Sequence, residues 1–336
     1  MLSGISNYPQ KEDIMSRLTK LMASALLMLG LALPAAPSAR AGTYPDRPVT
    51  VVLPFGAGSG ADRIIRVMLP KMEELLGQKI ILDYKTGGGA VVGSNYFMTT
   101  KPDGYTLLFY NQPHITMQST FQKTAYNNDN LVPIFGATWR PDTLNVLADG
   151  PFKTLEDLIS YARETPGKLT VGTTGSLSSN HLSFALFSKL TGLQMTRVPF
   201  NSAGKMNAAL LGGQIDATFN NLQWLTMYPG KLRVLATASK ERLQPDIPTF
   251  TELGYPQMVD ISAVNILYAR KGTPEEIVER LRAVFAPLLT DENIKAEFIK
   301  LDIGYGMFDH EQVKAITDLA IKQTAEAGDA IKASMQ

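Results

Sequence analysis

The sequence has no cysteine in its 336 residues. That absence excludes a disulfide scaffold, a thiolate metal site, a cysteine nucleophile and a lipid-modified cysteine anchor. Histidine is scarce. His114, His181 and His310 stand far apart, with no H-E-x-x-H pattern and no i, i+4 pair. A histidine-built metalloprotease site has no support here. No G-x-S-x-G elbow occurs, so the α/β-hydrolase nucleophile is missing too. Neither sign of charge dominates: 32 Lys and Arg face 31 Asp and Glu, a formal net charge of +1. Such a balance carries no electrostatic footprint for nucleic acid. The two tryptophans, Trp139 and Trp224, are expected in the core rather than along a cleft.

A bilayer-spanning helix needs about 20 apolar residues. Leu21 to Leu33 (LMASALLMLGLAL) is shorter than that. It follows Arg17 and Lys20 and precedes PAAPSARA, with Ala39-x-Ala41 at its end. A basic start, a short apolar run and a small-residue cleavage site predict a signal peptide over residues 1–41. Residues before Met15 do not resemble an n-region, which makes Met15 a candidate start. The removed segment carries Lys11, Arg17, Lys20 and Arg40 against Glu12 and Asp13, so the mature net charge becomes −1. Export without disulfides fits the periplasm of a Gram-negative cell; secretion to the medium is the alternative.

What is present is an alternation of strands and helices. With 45% hydrophobic residues, the chain can bury a large core, and its length suggests about two domains. Residues 48–53 (PVTVVL) form a short β-branched strand. A helix is expected over 63–76, closed by Gly77, with Pro70 predicting a kink or break. Strands follow at 79–84 and 106–110, with a helix between them through about Thr99. A second set comprises a helix at 154–164 capped by Thr154, a strand at 168–173 and a helix at 180–190. It continues with a strand at 197–200, a helix at 205–211 and strands at 215–219 and 232–238. Near the end, Thr273-Pro274-Glu275-Glu276 predicts a threonine cap with a capping box and a helix to about Leu289. This order implies mostly parallel sheets with right-handed crossovers.

Two strand–loop–helix turns carry the candidate chemistry. The first is Phe55, Gly56, Ala57, Gly58, Ser59, Gly60, Ala61 and Asp62. It lacks the lysine of a Walker loop, and its spacing is G-x-G-x-G rather than the G-x-G-x-x-G of dinucleotide folds. Asp62, expected to cap the helix, would also place a carboxylate where a pyrophosphate lies. What remains is a cluster of backbone N–H groups at a helix N-terminus, able to hold an anion. The second turn is Thr173, Thr174, Gly175, Ser176, Leu177, Ser178, Ser179 and Asn180, dense in hydroxyls. Two such turns in two α/β units suggest a ligand held between domains. On this reading Ser59→Pro would abolish binding and leave the fold intact. Arg63 opposes the dipole of its helix; it is either a solvated cation or a partner for a ligand carboxylate. His181, early in a helix, reads as a surface or packing residue.

The chain resembles the periplasmic substrate-binding proteins of tripartite tricarboxylate transporters, the Bug-type receptors. The resemblance runs over Tyr44-Pro45-Asp46-Arg47-Pro48, Val52-Leu53-Pro54-Phe55, the loop glycines with Asp62 and Arg66, and Pro102-Asp103-Gly104-Tyr105-Thr106. It continues through Leu211-Gly212-Gly213-Gln214-Ile215-Asp216, residues 230–236, Ile247-Pro248-Thr249 and Gly272-Thr273-Pro274. It implies a two-domain α/β periplasmic binding protein (type II-like), with domain 1 at 42–140 plus 263–336 and domain 2 at 141–262. It implies a small carboxylate gripped by the two loops and bordered by Asn201, Ser202 and Ala203, with no cofactor. The partners implied are membrane permease subunits, and the receptor would be a monomer. There are departures: the family's P-F-x-P-G-G reads PFGAGSG here, and its usual tryptophan near the return strand is replaced around Ser262 to Asn265. Asn111-Gln112-Pro113-His114 is polar and could reach the cleft. The alternatives are an exported nucleotide- or phosphate-binding enzyme and a receptor for a sensor kinase.

Overall fold

The first β-branched run forms strand β1, Val49–Leu53, almost wholly buried. The computed structural model describes residues 44–335; the expected signal peptide lies outside them. Gly56 to Ser59 turn the chain into helix α1, Gly60–Leu76, which begins three residues earlier than expected. Its Ile64, Ile65, Met68 and Met72 face the core, and Gly77 closes it in the left-handed conformation at φ 68°. Pro70 sits inside this helix without ending it. Proline removes a single N–H donor, and the buried apolar face on both sides of it holds the helix together. Strand β2 (Ile80–Tyr84), helix α2 (Val91–Phe97) and strand β3 (Thr106–Gln112) complete the first unit.

Helix α3 (His114–Phe121) and strand β4 (Leu131–Ala137) follow, and the chain then crosses to a second sheet. That sheet is built from β5 (Thr143–Leu147), β6 (Thr170–Thr174), β7 (Thr196–Phe200), β8 (Ala217–Asn220) and β9 (Leu232–Thr237). Its helices are α4 (Leu155–Glu164), α5 (Ser179–Thr191), α6 (Ala203–Leu211) and α7 (Gln223–Met227). Thr154 caps α4 as expected, in a reciprocal capping box with Asp157. The chain returns through β10 (Val264–Arg270) to the first sheet and adds α8 (Glu275–Phe285), α9 (Glu292–Lys300) and β11 (Met307–Phe308). Two helices close it, α10 (His310–Glu326) and α11 (Gly328–Ala333). Thr273 does not cap α8: Pro274 takes that position, and the Thr273 hydroxyl donates instead to the Arg270 carbonyl at 2.8 Å.

The strand orders are β11-β4-β10-β3-β1-β2 and β7-β6-β8-β5-β9. Both sheets are mixed rather than mostly parallel. β1 pairs parallel with β2 and β3, but β10 runs antiparallel to both β3 and β4. In the second sheet β6 pairs parallel with β7 and β8, while β5 is antiparallel to β8 and β9. Crossover helices make the parallel half. The antiparallel half comes from β10, where the chain re-enters the first sheet, and β5, where it enters the second.

The two crossing segments lie side by side. Pro141 bridges Ser262, the Asp142 N–H donates to the Ile261 carbonyl at 2.8 Å, and the Arg140 N–H donates to Ser262 Oγ at 2.8 Å. Each crossing carries a non-glycine residue at positive φ: Thr138 at 66° and Asp260 at 54°. A β-branched residue there is a genuine outlier. Thr138 is fully buried, and its hydroxyl accepts from the Asn265 amide at 3.0 Å. The core of the second sheet extends to Ala327 and Ile331, so α11 packs on the lobe opposite the strand that precedes it.

Candidate functional site

Both glycine- and hydroxyl-rich turns end at a helix N-terminus, and each is organised by a capping serine. In the first, Ser59 is extended at φ −66°, ψ 166°, and its hydroxyl accepts from the Asp62 N–H at 3.3 Å. Asp62 is therefore not the cap. It lies in the first turn, where its carboxylate accepts from the Gly58 N–H at 2.8 Å, Arg66 Nε at 2.8 Å and the Tyr84 hydroxyl at 2.6 Å. Burial pushes this carboxyl up, but the hydrogen bonds from Tyr84, Gly58 and Arg66 outweigh it and hold it below the usual range. The Ser59 N–H donates to the Gly56 carbonyl at 3.1 Å, which leaves the hydroxyl proton as the donor of Ser59 without a partner among the described residues. Phe55 packs edge-on against Tyr110 and His114. Gly58 needs its glycine, with φ at 80°.

In the second turn Ser178 caps α5 and accepts from the His181 N–H at 3.2 Å. Arg197 braces the loop from β7. Its Nη1 donates to Thr173 Oγ1 at 3.1 Å and the Gly175 carbonyl at 3.3 Å, and its Nη2 reaches Ser176 Oγ at 3.5 Å. His181 is fully buried and structural, consistent with the packing role. Its Nδ1 accepts from the Leu177 N–H at 3.0 Å, so Nε2 carries the proton toward Ser334 Oγ at 2.7 Å. Burial, reinforced by the nearby Arg197 charge, lowers its pKa to about 3.

A cavity of about 390 Å³ lies between the two sheets. Of the sequence-predicted residues it brings together Gly60, Thr174, Ser178, Ser179, Asn180 and Ala203. Phe55, Gly56, Ala57, Gly58, Ser59, Ala61 and Asp62 stand behind Gly60 and shape its turn. Thr173, Gly175 and Ser176 turn to Arg197. Asn201 is exposed, and Ser202 caps α6, accepting from the Lys205 N–H at 3.3 Å. The cavity wall adds residues the sequence reading did not assign to the site: Arg140, Asp142, Asn220, Asn221, Gln223, Trp224, Met227 and Ala263. Arg63 and His114, read from sequence as possible cleft residues, also line it.

These walls are polar and partly unsatisfied. Asp142, 2% exposed, accepts from Ser179 Oγ at 3.2 Å and Ser183 Oγ at 2.8 Å. Burial pushes its pKa up to about 7, against the lowering hydrogen bonds of Ser183, Asn180 and Ser179. His114 Nδ1 donates to Asn111 Oδ1 at 2.7 Å, leaving Nε2 as an acceptor, and burial lowers its pKa to about 4. Arg140 Nε, Asn221 Oδ1 and Trp224 Nε1 are buried without a hydrogen-bond partner among the described residues. Trp224 thus serves the cavity as well as the core. It stacks on Tyr228 at 6.0 Å between ring centroids and packs at the edge of an apolar cluster. Trp139 packs against the first core and also lines a side pocket next to Arg140. A cavity of this size lined by hydroxyls, amides and cations can hold a small anionic or strongly polar molecule.

Comparison with known proteins bears on the fold and the family. The family model described as the tripartite tricarboxylate transporter family receptor matches residues 64–333. A Cupriavidus necator protein described as the UPF0065 protein in the gbd 5' region is 32% identical over 305 residues, covering 87% of this chain and 92% of its own. Among solved structures, Rpa4515 of R. palustris, determined with adipate, superposes with a TM-score of 0.72 at 26% identity, covering 86% of this chain and 98% of its own. MatC from Rhodopseudomonas palustris, with bound malate, gives 0.69 at 28% identity, covering 86% and 100%. The two mixed sheets flanked by helices match these solute-binding proteins in fold, and the chain belongs to the tripartite tricarboxylate transporter receptor family.

Proposed function

We propose that the protein is a periplasmic receptor that captures a small carboxylate between its two lobes and delivers it to the permease subunits of a membrane transporter. The observation that carries this reading is the interlobe cavity, walled by the Ser178 to Asn180 turn, Gly60 and the Arg63 and Arg140 cations. Hydroxyls and helix N-terminal N–H groups donate to a carboxylate, and guanidinium groups neutralise it. The adipate and malate found with the two R. palustris relatives support the same ligand class. The glycine loop is a poor phosphate cradle, because the Asp62 carboxylate already takes the Gly58 N–H.

The receptor works without catalysis, as a monomer. Its lobes are 42–140 with 263–336, and 141–262, with α11 crossing over to pack on the second lobe. Closure rotates them about the paired crossings near Thr138 to Asp142 and Asp260 to Val264, where the positive-φ residues sit. Thermal shift against a panel of di-, tri- and aromatic carboxylates, followed by calorimetry, tests the reading. A saturable rise in melting temperature with at least one acid is expected. Silence from every acid at millimolar concentration would overturn it.

A further inference from the structure

Arg140 is the least satisfied charge on the cavity wall. It lies on the crossing segment between β4 and β5, with its stem against Gly304, where a β-carbon would come within 2.9 Å of Arg140 Cδ. Nε is buried and unpartnered, and the guanidinium forms no ion pair among the described residues. Two carboxylates act on it from a distance, Asp142 and Asp302, and Asp142 is already engaged by Ser179 and Ser183. Arg63 faces the same cavity and repels it. The Arg63 guanidinium makes one hydrogen bond among the described residues, from Nη2 to the Leu301 carbonyl at 3.3 Å. Two guanidinium groups whose side chains together reach a single acceptor, the Leu301 carbonyl, among the described residues are costly to hold together. Their fork of donors matches a carboxylate, which would satisfy both at once. Trp224 Nε1, also without a partner, adds a neutral donor on the same wall.

We propose that Arg140 and Arg63 form a cationic subsite that takes one carboxylate of a dianionic ligand, while the wall of Gly60 and Ser178 to Asn180 takes the other. This rests on the receptor reading above and deepens it. Loop amides and hydroxyls select a carboxylate; the arginine pair then selects for a second one. Arg140 stands on a segment that bends as the lobes close, so the second carboxylate would also favour the closed form.

The test uses pairs of acids that differ by one carboxylate: succinate with butyrate, adipate with hexanoate, terephthalate with benzoate. Each is titrated calorimetrically into the mature chain and its variants. The wild type should prefer at least one diacid over its monoacid partner by about 30-fold or more. Arg140→Gln should weaken that diacid by about 10- to 100-fold and the monoacid by less than about 3-fold. Arg63→Gln, at an exposed position, should cost the diacid about 3- to 10-fold. Arg140→Lys keeps the charge without the fork and should fall between wild type and Arg140→Gln. Circular dichroism checks folding; should Arg140→Gln fail to fold, Arg140→Lys and Arg63→Gln decide by the same criterion. Equal losses for diacid and monoacid, or an unchanged preference, would overturn the subsite. A wild type that binds monoacids as well as diacids would also overturn the subsite and leave the receptor standing. A wild type that binds none of the acids would overturn both.

Discussion

The two strand–loop–helix turns that face the cavity follow one local plan and are held by different means. The turn at Phe55 to Asp62 is closed within its own neighbourhood: Ser59 on the Asp62 N–H, Asp62 on the Gly58 N–H and Arg66, and Tyr84 from the adjacent strand. The turn at Thr173 to His181 is held from far away. Arg197 spans its carbonyls and hydroxyls, Asp142 takes Ser179, and His181 ties Leu177 to Ser334 near the C-terminus. The first turn spends its polar groups on itself and offers the cavity Gly60 and, beyond it, Arg63. The second leaves Thr174, Ser178, Ser179 and Asn180 on the cavity wall. A loop braced from outside can turn more of its own side chains toward a ligand.

Removing the outside brace should have the largest effect. Arg197→Met strips several charge-assisted hydrogen bonds from the second turn and is expected to cost about 2–4 kcal/mol in urea unfolding. It should also weaken ligand binding, because Thr174 and Ser178 lose their fixed positions. A loss under about 1 kcal/mol would mean that the second turn, like the first, holds itself.

A smaller effect, with a definite sign, comes from His181. Its folded pKa is near 3, held down by burial and the Arg197 charge, while the unfolded chain titrates near 6.5. The unfolded state therefore takes up the proton first, and stability falls as pH drops below 6.5 toward 3. By pH 5 this single group costs about 2 kcal/mol. His181→Gln has nothing to titrate at this position, so its stability should decline less than that of the wild type between pH 6.5 and pH 5. Parallel urea series at the two pH values would reveal this; identical slopes would place the acid sensitivity elsewhere, with His114 the next group to examine.

The smallest effect gives the cleanest comparison. Ser59→Ala and Ser178→Ala each remove one helix cap and should each cost about 1 kcal/mol. Only Ser178 lies on the cavity. Ligand affinity should therefore drop several-fold for Ser178→Ala and stay nearly unchanged for Ser59→Ala. Equal losses would draw the first turn back into the site and revive Ser59 as a ligand contact.

The alternating units of each lobe were legible in the sequence, because short β-branched runs and glycine turns are local patterns. The strands that knit the lobes together were not. The apolar run of β4 is interrupted by Pro133 and Gly136, and β5 and β10 bury Asn145 and Asn265, polar residues that disrupt an apolar run. Asn265 is tolerable there because it reaches Thr138, 127 residues away in sequence. Arg140 and Trp224 carry no local signal as site residues. In sequence, Arg140 is an ordinary cation beside a tryptophan. In the fold, its backbone N–H meets Ser262 across 122 residues, and the paired crossings set its side chain on the cavity wall.

The sequence by itself determined that two helices begin at glycine- and serine-rich turns. It also marked both turns as candidate halves of a clamp, because capping joins residues about three positions apart and needs nothing from the rest of the chain. Only the tertiary structure decided which of those polar groups line the cavity and which cations join them. That outcome depends on hydrogen bonds across more than a hundred residues and on burial, and the sequence spacing of the turns carries no record of either.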